Sequence, residues 1–96
     1  MVFEFDPEKS RANLAKHGID FTEAQALWFE PFFEFKLKTT TEDRHAVIGR
    51  MNGTFWTAII TYRQNRIRII SVRRSRDEEK KAYQARAKAP HRSRAR

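Results

Sequence analysis

Residues 50–74, RMNGTFWTAIITYRQNRIRIISVRR, decide the fold. Asn52-Gly53 is the strongest short-range hairpin signal in the chain, because a type I′ turn needs positive φ at both central residues. Gln64-Asn65 is a second candidate for a tight turn. The flanking runs Thr54–Arg63 and Arg66–Arg74 are rich in β-branched and aromatic residues, as strands require. With 44–51 as the preceding strand, two hairpins give three antiparallel strands. Counting outward from the turns pairs 63 with 66, 61 with 68, 59 with 70 and 56 with 73. On the other side it pairs 51 with 54 and 46 with 59. Side chains alternate faces. One face then carries Thr61 with Arg68, next Ile48, Thr57 and Val72, and finally Arg50, Phe55 and Arg74. The opposite face carries Ile60 with Ile69, next Val47, Ala58 and Ser71, and finally Trp56 beside Arg73. Both faces are apolar in the middle, so both are expected to be partly covered. The arginines collect at the sheet's ends.

Residues 32–40 read as a further strand, with Phe33, Phe35 and Leu37 alternating against Glu34, Lys36 and Lys38. Residues 2–5 are a candidate short strand. Asp6 can cap a helix, Pro7 suits its first position, and Gly18 is the expected stop after His17. Thr22-Glu23-Ala24-Gln25 fits a capping box opening a second helix, with Leu27, Trp28 and Phe29 apolar and Pro31 ending it. Ser75-Arg76-Asp77-Glu78 fits another, starting a helix to about residue 89. The expected architecture is a small α+β domain: N-terminal helices, an antiparallel sheet of about four strands and a C-terminal helix. It comprises residues 1–89 as one domain. Residues 90–96 form a basic tail with no core-forming pattern, expected to be disordered.

The chain has 96 residues and no cysteine, which excludes disulfides and thiolate metal sites. No apolar run approaches the ~20 residues of a membrane span, and a soluble cytoplasmic protein is the expectation. The net charge of +8 is polarised: residues 1–43 carry five Lys/Arg against nine Asp/Glu, and residues 44–83 carry ten against three. Residues 84–96 add five cations and no acid. Such asymmetry favours an anionic partner for the second half, nucleic acid above all, with a solvated basic surface as the alternative.

Six arginines lie within residues 63–76, at positions 63, 66, 68, 73, 74 and 76. A strand does not need them for folding. The guanidinium is a fixed fork of donors that matches phosphate or carboxylate. His17, His45 and His91 have no ligand-like spacing, so no metal or other cofactor is expected. Without a metal, acid–base candidates are Lys16, His17, His45, Tyr62, Glu79 and Tyr83. Each has a structural alternative. Lys16 and His17 suit a helix C-terminus, His45 can pack within its strand, and Tyr83 can anchor the last helix. Glu79 can be a solvated helix charge.

Phe3-Glu4-Phe5-Asp6-Pro7-Glu8-Lys9 and Asn13-Leu14-Ala15-Lys16-His17-Gly18-Ile19-Asp20-Phe21 resemble the start of BrnT-type toxins. Thr61-Tyr62-Arg63, Arg66-Ile67-Arg68-Ile69-Ile70-Ser71-Val72-Arg73-Arg74, Glu79 and Tyr83 resemble the family's second half. Val72, Ser75 and Arg76 depart from its usual residues, and residues 28–43 match little. The resemblance implies a RelE-like fold and a metal-independent ribonuclease that arrests growth. It also implies a BrnA-type antitoxin whose ribbon-helix-helix domain binds operator DNA. On this reading Arg73 and Arg68 hold phosphate, with Arg63, Arg74 and Tyr83 as further RNA contacts. Lys16 or His17 transfers the proton, with Glu79 as an alternative base. A non-catalytic nucleic-acid-binding module using the same basic surface is the alternative.

Overall fold

A computed structural model describes residues 1–39 and 42–88, the side chains of residues 87 and 88 excepted. The tail assigned to residues 90–96, and the expected end of the last helix at residue 89, lie outside the described residues. The elements are β1 (Phe3–Glu4), α1 (Pro7–His17), α2 (Phe21–Ala24), a 3₁₀ turn (Gln25–Phe29), β2 (Phe32–Lys36), β3 (His45–Met51), β4 (Thr54–Arg63), β5 (Arg66–Arg74) and α3 (Asp77–Lys88). They form a mixed five-stranded sheet in the order β1-β5-β4-β3-β2.

The expected sheet of about four antiparallel strands is therefore corrected. β2 to β5 are antiparallel neighbours, but β1 joins β5 in parallel, pairing Phe3 with Ile67 and Glu4 with Arg68. A parallel pair needs a long crossover. Here the intervening helices and strands supply it, and the Ile67 amide donates to the Val2 carbonyl at 2.8 Å.

α1 starts and stops as its sequence dictates. Asp6 caps through the Glu8 amide, Pro7 follows, and Gly18 closes the helix in the left-handed region at φ 81°. The second helix starts earlier than expected. Asp20, not Thr22, is the cap: its carboxylate accepts from the Glu23 amide, and Glu23 reaches back to the Asp20 amide. Thr22 lies inside one α-turn that tightens into the 3₁₀ turn. The cap expected at Ser75 also moves. The Glu79 carboxylate accepts from the Arg76 amide at 2.8 Å, so α3 starts one residue later. The expected strand over residues 32–40 ends at Lys36, and β3 starts at His45 rather than residue 44.

Both tight turns form, with positive φ at Asn52 and Gly53 and at Gln64 and Asn65. The left-handed region costs most residues about 1–2 kcal/mol, less for Asn and nothing for Gly. Converting Gln64-Asn65 to Asn-Gly is expected to stabilise the protein by about 1 kcal/mol. Urea unfolding checks this, and an unchanged midpoint would refute it.

The register holds from the Gln64-Asn65 turn to Ile60 opposite Ile69, then slips: Ile59 faces Ser71, Thr57 faces Arg73 and Trp56 faces Arg74. A bulge at Ile70 inserts one residue into β5. It exchanges the faces of everything after it, correcting the expected pairings of 59 with 70 and 56 with 73. The cause is burial. Val72 enters the core with Val47, Ala58, Ile60, Ile67 and Ile69, under Phe21, Leu27 and Trp28. An unslipped strand would place Ser71 and Arg73 there instead, at a large desolvation cost. The opposite face holds Ala46, Ile48 and Thr57, all buried. α3 covers part of it, with Tyr83 edge-on to Phe55 at 5.4 Å and Arg86 over Phe33 at 5.1 Å.

Candidate functional site

The sheet sorts its arginines into two groups. At the β1 end they are paired. Arg66 and Arg68 both meet Glu4, at 3.6 and 3.2 Å, while Arg44 and Arg63 both meet Glu42, at 3.4 and 3.6 Å. Arg68 and Arg73 are five residues apart on one strand, about 17 Å. The two arginines expected to hold phosphate thus lie at different ends of the sheet, with Arg63 at the Arg68 end.

At the other end, β3, β4 and β5 present Arg50, Arg73 and Arg74. Arg50 lies over the ring of its cross-strand partner Phe55 at 5.2 Å, and Arg74 over that of Trp56 at 5.7 Å. Neither is ion-paired to a carboxylate among the described residues. The rings position both guanidiniums and leave their in-plane N–H groups open to an anion.

Arg73 is held by a carboxylate. Its two terminal nitrogens donate to the two oxygens of Glu79 at 2.8 and 2.9 Å, and it also donates to the Arg74 carbonyl at 3.2 Å. Thr57, directly across from Arg73, donates to Glu79 Oε1 at 3.0 Å. Its single proton being spent there, the buried Ser75 hydroxyl donates to Thr57 Oγ1 at 2.8 Å. The bulge makes this cluster possible, because it turns Arg73 toward Thr57 and α3. Burial pushes the Glu79 carboxyl up, but hydrogen bonds from Arg73, the Arg76 amide and Thr57 outweigh it and bring the group down to about 2. The Glu79 hydrogen bond raises Arg73 further, against the opposing effect of burial. Of the five guanidinium N–H donors, three are used in these bonds. The rest have no partner among the described residues.

The depressed Glu79 carboxyl has a consequence for stability. A carboxyl whose folded value is lowered stabilises the fold above its unfolded value, and that contribution is lost as pH falls through the folded one. The window runs from the ordinary 4.5 down to about 2. About 3 kcal/mol of neutral-pH stability is expected to disappear across it. Urea unfolding at stepped pH should show a shallower acid loss in Glu79→Gln than in the unmodified protein; parallel curves would refute the assignment.

A cleft of about 930 Å³ opens beside this end of the sheet, lined among others by Gly18, Phe29, Glu30, Arg50, Trp56 and Tyr83. Tyr83 donates to the Pro31 carbonyl at 3.3 Å. Lys16 and His17 immediately precede Gly18 on the cleft rim, and neither makes a side-chain hydrogen bond or ion pair among the described residues. Arg73, Arg74, Glu79 and Tyr83 thus share one end of the sheet, whereas Lys16 and His17 are linked to the cleft through their neighbour Gly18. The sequence reading set Arg50 beside Phe55 through the Asn52-Gly53 turn, as the structure has it, but named neither Arg50 nor Trp56 nor Thr57 as a site residue.

A second polar cluster, on the opposite part of the sheet, holds the other titratable candidates. Glu34 Oε2 accepts from Tyr62 at 2.6 Å and lies 3.1 Å from His45 Nδ1. Burial and the Glu34 bond raise the Tyr62 hydroxyl, and the His45 ring stands edge-on to Tyr62 at 5.1 Å. Among the described residues no arginine joins this cluster. Among the described residues no three histidines or carboxylates are grouped as a metal would need, and no helix is long and apolar enough to cross a membrane.

No curated protein matches the chain. Residues 5–79 match the family described as ribonuclease toxin, BrnT, of type II toxin–antitoxin system.

Proposed function

This chain belongs to the BrnT family of type II toxin–antitoxin ribonuclease toxins, and from that premise we propose that it cleaves RNA at the sheet end bearing Arg50, Arg73 and Arg74, without a metal ion. The observation that carries the reading is the contrast in charge pairing. Four arginines at the β1 end share the carboxylates of Glu4 and Glu42, whereas Arg50 and Arg74 are stacked on aromatic rings with no carboxylate partner among the described residues.

The reaction uses the substrate's 2′-hydroxyl. Its proton is removed, its oxygen attacks phosphorus, and the 5′-oxygen leaves and is protonated. The products are a 2′,3′-cyclic phosphate and a 5′-hydroxyl. Charge accumulates on the phosphate oxygens in the transition state, where preorganised donors are most effective. Arg73, oriented by Glu79, supplies them from the face that α3 covers, and Arg74, over Trp56 on the opposite face, is a further RNA contact together with Arg50 and Tyr83. Glu79 is better suited to orienting Arg73 than to acting as the base, because both its oxygens accept from Arg73 and its carboxyl is held near 2. His17 is the better proton carrier, with Lys16 beside it, because an imidazole ring holds a donor and an acceptor nitrogen and neither side chain is engaged among the described residues. Arg63 and Arg68 extend the basic track and attract the RNA backbone.

Membership also implies a protein antitoxin. We assign it the BrnA type, with a ribbon-helix-helix domain through which operator DNA is bound, occluding the arginine-rich sheet end until growth arrest is triggered in the cytoplasm. The test is purified protein with single-stranded RNA in the presence of EDTA. Fragments ending in 2′,3′-cyclic phosphate are expected. Intact RNA with retarded mobility would favour the non-catalytic binding module, and cleavage abolished by EDTA would overturn metal independence.

A further inference from the structure

We propose that the cleft beside the arginines is a nucleobase pocket selective for guanine, with Phe29 as its stacking platform and Glu30 as its reader. The choice of RNA as ligand rests on the ribonuclease reading; the pocket's chemistry rests on its lining. Phe29 is 77 % exposed, while its neighbour Trp28 is 7 % exposed and packed in the core. Folding has no use for a phenylalanine left in water at the wall of a cleft. Single-stranded RNA does, because every base has a face to stack and each stacked base adds about 1–3 kcal/mol.

The cleft of about 930 Å³ is large enough for a nucleotide. Its two acidic side chains differ. Glu23 is committed to the α2 cap, accepting from the Asp20 amide at 3.1 Å. Glu30 lines the same cleft, is exposed, and has no side-chain partner among the described residues. A carboxylate repels phosphate and accepts from N–H groups. Guanine alone presents N1–H and N2–H₂ side by side, matched to both oxygens of one carboxylate. Adenine and cytosine offer an amino group flanked by an acceptor, and uracil offers one N–H between two acceptors. Arg50, also in the lining, has the charge to take the attached phosphate. The cleft thus offers a cation for the phosphate and a pair of acceptor oxygens for the N–H groups of the base.

Fluorescently labelled 2′-O-methyl RNA hexamers test this, because they have no free 2′-hydroxyl and cannot be cleaved. Four hexamers differ only in the central base, and binding is read by anisotropy at low salt. The guanine hexamer is expected to bind about tenfold or more tightly than the others. Glu30→Gln should abolish that preference, with the other three affinities equal to or slightly tighter than before because a charge that repels phosphate is gone. Phe29→Ala should weaken all four by about tenfold. Both positions are exposed, so neither change threatens folding. Equal affinities, no binding, or a preference that survives Glu30→Gln would overturn the proposal. Selective guanine binding by a protein that leaves ordinary RNA intact would sink the ribonuclease reading and leave the pocket standing.

Discussion

Arg73→Ala is expected to lower RNA cleavage about ten- to a hundredfold and to destabilise the fold at the same time. The rate effect follows from losing a charge-assisted contact to the transition state, about 1.5–3 kcal/mol. The stability effect follows from Glu79. Its carboxylate side chain is only 12 % exposed and loses two hydrogen bonds with its cation. Breaking one partner of such a pair leaves an uncompensated charge. The two effects separate in the double variant Arg73→Ala/Glu79→Gln. Removing the stranded charge should restore much of the stability, with Thr57 and the Arg76 amide still able to bind the neutral side chain. Cleavage should stay low, because no guanidinium returns. Recovery of cleavage together with stability would show that Arg73 serves folding alone.

Asn13→Leu is expected to cost about 3 kcal/mol, lowering the thermal midpoint by about 15 °C. Asn13 is buried in α1 and joins the helix to β5. Its amide donates to the Ile19 and Val72 carbonyls at 2.8 and 2.9 Å, and its oxygen accepts from the Val72 amide at 3.1 Å. β1 pairs only with Ile67 and Arg68, so the outer edge of β5 at Val72 has no strand beside it. The Asn13 side chain takes that place. Leucine fills similar volume and satisfies neither backbone group. A loss below about 1 kcal/mol in chemical denaturation would mean that water replaces the asparagine at little cost.

The contrast between these residues marks what could be read in advance. α1 was legible from Asp6-Pro7 to Gly18, because capping is local chemistry. β4 and β5 were legible from alternating apolar residues between two turns, each with positive φ. The bulge was not legible: apolar positions run 67, 69, 70 and 72, which a regular strand divides between its two faces, and only packing of Val72 beside Ala58 decides the slip. The slip moves Arg73 away from Trp56 and toward Thr57. The second helix was misplaced by two residues because Thr22 and Asp20 both head plausible caps, and only the backbone conformation at Asp20 decides between them.

By itself the sequence determined the small α+β domain, its hairpins and the concentration of arginine on the sheet. Those are properties of neighbours in the chain, set by turn conformation, periodicity and composition. Only the tertiary structure decided which arginines remain available. Glu4 neutralises Arg68 from 64 residues away, through a parallel strand that no local pattern announces. Glu79 instead holds Arg73 in place across the start of α3. Charge pairing depends on distance in space, and a guanidinium with a carboxylate at 3 Å is chemically different from one lying on an aromatic ring.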